Sequence, residues 1–309
     1  MAGVWSARTE TVAKLACAYA GLAWGLFWLP LRALDAAGVQ GAWATALFYL
    51  LPLAVVCPLF VSRWNRLMRA GWRLQLTAIM AAGSLVLYAE AFLFTDVIRA
   101  MLLYYMTPVW SSLLARVWLK EPITLSRILA IALGLAGMLV IFGIDLGPPV
   151  PRNLGDWIGL AAGLLWAVAA VLMRRDIKGK AVELSLAYFF WGGILALAIA
   201  LLPFVEAPQP PSIAMLAGQL WWLAPVVLVL VVPAVYAVMW GTPKLNPGTV
   251  GILFMTEISV GAMTAWLWAG EPFGLRELSG VVLITVAGLA EVLTLPIILL
   301  RRNLVARRL

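Results

Sequence analysis

Long apolar runs follow one another along this chain, and polar residues cluster in the short stretches between them. A helix needs ~20 mostly apolar residues to cross the hydrocarbon of a bilayer. Runs near that length lie at 14–33, 42–61, 74–94, 97–119, 125–144, 156–173, 184–204, 219–240, 248–269 and 275–300. Gly, Pro, Asn and charge clusters interrupt them, most clearly in SRWNRLMRAGWR (62–73), DLGPPVPRNLGD (145–156), RRDIKGKAVE (174–183) and VEAPQPPS (205–212). The ~10-residue alternating segments of a membrane β-barrel are not found. The pattern predicts an all-α integral membrane protein with ten transmembrane helices. The first run exceeds the ~7–15 apolar residues of a signal peptide, so a retained helix is expected there.

One run carries an exception. GTVGILFMTEISVGAMTAWLWA (248–269) is polar only in small hydroxyls and in Glu257, which sits nearly at its centre. A charged side chain there costs on the order of 3 kcal/mol. It must face a cavity, find a partner or take up a proton. Glu257 therefore either meets a substrate amine or relays a proton, or it is a protonated carboxyl that joins neighbouring helices.

A second pattern overlies the first. LLYYMTPVW (102–110) is echoed by GILFMTEIS (251–259), and alignment on the shared Met-Thr sets Pro108 opposite Glu257. VWLKEPITLSRILAIALGLAG (117–137) resembles LWAGEPFGLRELSGVVLITVAG (267–288), including the pairs Glu121-Pro122 and Glu271-Pro272. Trp24 and Arg32 are matched by Trp166 and Arg174, and Tyr88-Ala89 by Tyr236-Ala237. The chain reads as two five-helix repeats, 1–148 and 149–309. Five is odd, so the second enters the membrane from the opposite side, an inverted repeat as in many secondary transporters.

Composition agrees. Of 309 residues 64% are hydrophobic and 12% charged, too few charges to cover a surface facing water. Cys17 and Cys57 lie inside apolar runs and read as small hydrophobes rather than a disulfide. The absence of histidine removes histidine chemistry and weakens any metal site. The net charge of +8 is explained by position. With ten spans, Arg32, Arg99, Arg152 and Arg276 fall on one side, and the other 18 lysines and arginines share the side of the termini. Positive residues favour the cytoplasm, so both termini are expected there and no nucleic-acid surface is implied.

The repeated segments YYMTPVWSSLLARVWLKEP and ILFMTEISVGAMTAWLWAGEP resemble the drug/metabolite transporter superfamily, EamA-type. The resemblance covers nearly the whole chain. The second half, with Glu257, GEPFGLRE and AGLAEV, looks most like the bacterial branch that includes aromatic amino acid exporters. It implies ten helices in two inverted repeats, and export of small metabolites, often amino acids, through a central cavity by alternating access. It also implies a bacterial inner membrane.

Candidate site residues follow from the spans. Tyr104, Thr107, Pro108 and Ser111 share one helical face, with Tyr105 on the adjacent stripe. Mid-helix proline frees a carbonyl that must be satisfied by protein or line a wet cavity, so this face is either a cavity wall or a kinked packing seam. Trp24 and Tyr88, with their mates Trp166 and Tyr236, either form an aromatic pocket for flat or cationic solutes or pack as core. Glu90 and Arg99 are expected to pair across the FTDV turn, as a structural link or an outer gate. GLAWG (21–25) and GLAAG (159–163) permit close helix approach, expected within the chain rather than between chains. Eight tryptophans near span ends, Trp43, Trp64, Trp72, Trp118, Trp157, Trp221, Trp222 and Trp268, read as interfacial anchors.

The expected protein is a monomeric secondary transporter in a lipid bilayer that exports neutral or aromatic amino acids or similar metabolites, without cofactor. An exporter or importer of other amphiphilic metabolites or cationic drugs is the alternative. An intramembrane enzyme is disfavoured, because no nucleophile with a base and no paired membrane carboxylates are seen.

Overall fold

The computed structural model describes residues 6–306 apart from 40, 93, 144–149, 177–179, 203–209 and 271–272. Among the described residues it is all helical. The order is α1 (Ala7–Gly25), α2 (Trp28–Ala36), α3 (Gly41–Val55), α4 (Cys57–Arg69), α5 (Trp72–Ala91), α6 (Val97–Tyr104), α7 (Thr107–Trp118) and α8 (Leu125–Phe142). Then follow α9 (Leu154–Asp176), α10 (Ala181–Ala200), α11 (Ile213–Val226), α12 (Val232–Gly241), α13 (Pro247–Phe254), α14 (Thr256–Ala269) and α15 (Leu275–Ala306). A π-helical turn, Val227–Val231, joins α11 to α12. Glu271-Pro272, Lys178, Arg307 and Arg308, and parts of the expected breaks at 145–156, 174–183 and 205–212, lie outside the described residues.

Seven helical stretches among the described residues are long and apolar enough to cross a membrane. An eighth is added if α3 and α4, bent by 85°, count as one. Pro52 inside α3 and the proline in the first turn of α4 account for that bend. Helix starts carry their own signals. The hydroxyls of Ser6, Thr124 and Ser212 accept from the N–H three residues on, and Asn246 accepts from Gly248 ahead of a helix that opens with Pro247. The next helix after Glu121-Pro122 is thus capped by Thr124, and Pro122 lies before it rather than in its first turn.

Both Met-Thr pairs stand at helix breaks. α6 gives way to α7 at Thr107, whose hydroxyl donates to Tyr104 O at 2.5 Å. α13 gives way to α14 at Thr256, whose hydroxyl donates to Leu253 O at 2.7 Å. The glycine motifs pack against these breaks. A Cβ on Gly163 would lie 2.6 Å from Tyr104 O, and one on Gly25 would lie 2.8 Å from Glu257 O. Gly163 and Gly25 are thus the contact points of α9 on α6–α7 and of α1 on α14. The interior is built of small residues such as Ala20, Ala78, Ala81, Ala167 and Ala170, while bulky Leu125, Leu129, Trp221 and Val229 face outward. That distribution suits a lipid solvent, where close backbone packing replaces water exclusion. Trp64, Trp72, Trp118, Trp157, Trp221 and Trp268 are exposed, as expected of interfacial anchors.

Candidate transport cavity

Ion pairs sort the helix ends into two groups. At one end α1 and α8 meet α13 and α15. There Lys14 Nζ donates to Glu291 O at 2.6 Å, Arg127 Nε lies 3.5 Å from the Glu291 carboxylate, and Arg127 and Glu291 share the Thr249 hydroxyl at 3.0 Å each. Beside it Glu121 accepts from Arg174 at 3.0 Å and from Asn246. Arg63–Glu183 and Arg73–Asp176 complete this basic end at 2.8 and 3.3 Å. Glu291 therefore pairs with Arg127, a partner not anticipated from the sequence.

At the other end Arg99 is clasped by Asp156. The distances are 3.1 Å from Nε and 2.5 Å from Nη2, with Thr95 and the Arg152 N–H also donating to the same carboxylate at 2.7 and 2.9 Å. This corrects the expected Glu90–Arg99 pair. Asp156 lies at the start of α9 directly against the FTDV turn, and takes the guanidinium there. Both Glu90 oxygens are buried without a hydrogen-bond partner, and Thr45 is the polar group facing them.

Between the ends lies a cavity of about 700 Å³. Its inner wall includes Trp24, Tyr49, Tyr88, Tyr188 and Glu257, and Leu31, Phe92, Phe142 and Glu277 mark its mouth, away from the basic end. Local structure explains the position of Glu257. It sits in the first turn of α14, just after the break, where the positive helix end favours an anion. The Tyr105 hydroxyl, buried without a hydrogen-bond partner, faces the Glu257 carboxyl, and Tyr88 and Tyr104 stand nearby. Tyr88 and Tyr104 stack with centroids 4.0 Å apart. Trp24 meets Phe254 edge-on at 5.0 Å, and Trp166 meets the same ring at 5.5 Å.

The expected site residues thus divide. Trp24, Tyr88 and Glu257 share the cavity wall, and Tyr104, Tyr105 and Trp166 back them from behind, fully or nearly buried. The face of Thr107, Pro108 and Ser111 does not line the cavity. It is a buried seam, because α7 packs on α9 and α13: Thr107 donates toward Gly163 O at 3.3 Å, and a Cβ on Gly251 would lie 2.9 Å from Pro108 Cα. Tyr236, the expected mate of Tyr88, points away from the cavity and is 43% exposed. The π turn before α12 inserts one residue, and one residue rotates a helix face by about 100°. Thr45, Phe48 and Tyr49 line the cavity and were not singled out from sequence, and Tyr188, which reads only as a deep aromatic, lines it too; Phe48 and Tyr49, dispersed through an apolar run, carry no local mark.

The described helices thus enclose an aromatic cavity with one carboxylate on its inner wall. The EamA-like transporter family model matches residues 12–143 and again 153–291, and the chain belongs to that family. Among its relatives, chloramphenicol-sensitive protein RarD of Pseudomonas aeruginosa is 27% identical over 263 residues, 81% of each chain. A solved chain named only "Crystal structure of protein" has a TM-score of 0.73 at 18% identity, and the match covers 93% of this chain and 98% of that one. That likeness shows the fold alone.

Proposed function

We propose that the chain is a secondary transporter of small amphiphilic metabolites that works by alternating access. The observation that carries this reading is the cavity with Glu257 on its wall, open toward one end and sealed at the other by the Lys14–Arg127–Glu291–Thr249 and Glu121–Arg174–Asn246 clusters. In this reading the chain has ten spans in two inverted five-helix repeats, 1–148 and 149–309. The double family match supports the same division. Placing the basic end in the cytoplasm of a bacterial cell, in the inner membrane, follows the positive-residue bias. The cavity then faces outward.

Ser111 and Ser112 support an opposite state. Both hydroxyls are buried in the sealed half without hydrogen-bond partners, although buried hydroxyls ordinarily have them. Opening of the α7 seam would wet them and turn Thr107, Pro108 and Ser111 into cavity wall. Glu257 is the group that meets the cargo amine or carries the coupling proton. Neutral or aromatic amino acids are the first cargo to test, as exporter substrates. Proteoliposomes loaded with an amino acid mixture are expected to take up labelled Trp, Phe or Thr by saturable counterflow, lost in Glu257→Gln. Counterflow that survives in Glu257→Gln would remove Glu257 from the site.

A further inference from the structure

The charge on the cavity wall is one-sided. Among the described residues, the lining contains two carboxylates, Glu257 and Glu277, and no lysine or arginine. Glu277, at the mouth, is held by the Gly274 N–H at 2.8 Å. Arg276, next to it, is turned to the Val140 and Ile141 carbonyls at 2.8 and 3.2 Å. The groups facing Glu257 from the neighbouring elements are the hydroxyls of Tyr88 on α5, Tyr104 on α6 and Tyr105 after it. None of them is a cation. A carboxylate held in a low-dielectric wall without a counter-charge is costly, and a positive ligand removes that cost.

Some of the neutral donors on the wall are committed, while the Trp24 indole N–H and the Tyr88 hydroxyl have no hydrogen-bond partner among the described residues. The Tyr49 hydroxyl lies 3.2 Å from Ala82 O and 3.1 Å from the Tyr188 hydroxyl. The Trp28 indole N–H donates to Thr264 at 3.0 Å. A cargo carboxylate would enter a site whose described lining already holds two carboxylates and no lysine or arginine to balance a third. An ammonium, by contrast, finds Glu257 for a charge-assisted hydrogen bond and the faces of Trp24 and Tyr88 for cation–π attraction. Phe27 and Phe48, with centroids 4.2 Å apart and planes tilted by 48°, supply aromatic apolar surface beside it.

We infer that the cavity selects flat organic monocations, aromatic amines above all, over the corresponding zwitterionic amino acids, with Glu257 as the ammonium partner. This rests on the transport reading above and narrows its cargo. The test uses two solutes that differ by one carboxylate. Equilibrium binding of labelled tryptamine to the full chain in lipid nanodiscs is measured with unlabelled tryptophan as competitor. Tryptophan is expected to compete about ten- to a hundred-fold more weakly than unlabelled tryptamine, the range of one hydrogen bond to a charged group. Glu257→Gln is expected to lose tryptamine affinity by a similar factor, with Glu257→Asp recovering part of it. The wild-type preference does not depend on either variant folding. Tryptophan competing as well as tryptamine, absence of saturable tryptamine binding, or tryptamine affinity unchanged in Glu257→Gln overturns the inference. Counterflow of tryptophan alone would do so while leaving the transport reading in place. Failure of both solutes and of the wider amino acid pool in counterflow would remove that reading as well.

Discussion

The Arg99–Asp156 clasp joins the start of α6 to the start of α9 beside the cavity end of the bundle, and its strength can be worked from the contacts. Asp156 is fully buried and Arg99 is 7% exposed, so solvent screens the pair little. The carboxylate accepts from Arg99, Thr95 and the Arg152 N–H, while its own N–H donates to Asn153 at 2.8 Å. Asp156→Asn keeps the shape and one acceptor but removes the charge opposite Arg99. Breaking a buried pair in this way costs about 3–5 kcal/mol. The low end applies, because Val150 O goes on accepting from Arg99 at 3.1 Å. For a chain of this size about 3 kcal/mol corresponds to a fall of roughly 5 °C in Tm. Thermal loss of the monodisperse species in detergent, followed by size-exclusion fluorescence, reads it. The double variant Arg99→Met/Asp156→Asn is expected to regain most of the loss, since no unpaired buried charge then remains. A Tm unchanged in Asp156→Asn, or a double variant worse than the single, would refute the reasoning.

The remaining predictions concern packing and closure. Gly163→Ala sets a methyl 2.6 Å from Tyr104 O and 3.0 Å from the Thr107 hydroxyl, against rigid backbone. It is expected to destabilise by about 1–3 kcal/mol in the same thermal assay. Gly218→Ala, with nothing within 4 Å of the new methyl, is expected to be neutral or to stabilise, by up to about 1 kcal/mol. Glu121→Gln takes a charged partner from Arg174 at the sealed end. In a Cys57→Ser background it should raise the thiol-labelling rate of Ser111→Cys from the basic side by about ten-fold, the effect of one charged hydrogen bond. An unchanged rate would detach the Glu121 cluster from closure.

Much of this fold is visible along the chain, because each signal is local. Apolar run length marks the membrane-type helices, but the breaks at the two Met-Thr pairs fall inside runs, 97–119 and 248–269, that read as continuous. Glu257 stands out locally too: a single carboxylate in a long apolar run has few places to go. Partnerships between distant helices are different. Glu90 and Arg99 flank one short turn in sequence, yet Asp156, 57 residues away, holds the guanidinium. Lys14 and Glu291 lie 277 residues apart, and nothing local to either names the other. Tyr236 failed as the mate of Tyr88 because a π turn inside VLVLV shifts the helical register. VLVLV itself has no polar residue, and the prolines that flank it, Pro225 and Pro233, are not read as marks of the turn.

The central claim is that cargo crosses through the cavity beside Glu257. Ala262 lines that cavity without being one of the proposed cargo contacts, so its modification blocks space rather than chemistry. Ala262→Cys in the Cys57→Ser background would be reconstituted, treated with a bulky thiol reagent from the cavity side, and assayed for counterflow of labelled tryptamine and tryptophan. Cys17 is buried and is expected to stay unmodified. The account predicts that counterflow present before treatment falls to the level of protein-free liposomes afterwards and returns on reduction of the adduct. Full counterflow with the thiol stoichiometrically modified would contradict it, since cargo would then be crossing by another route.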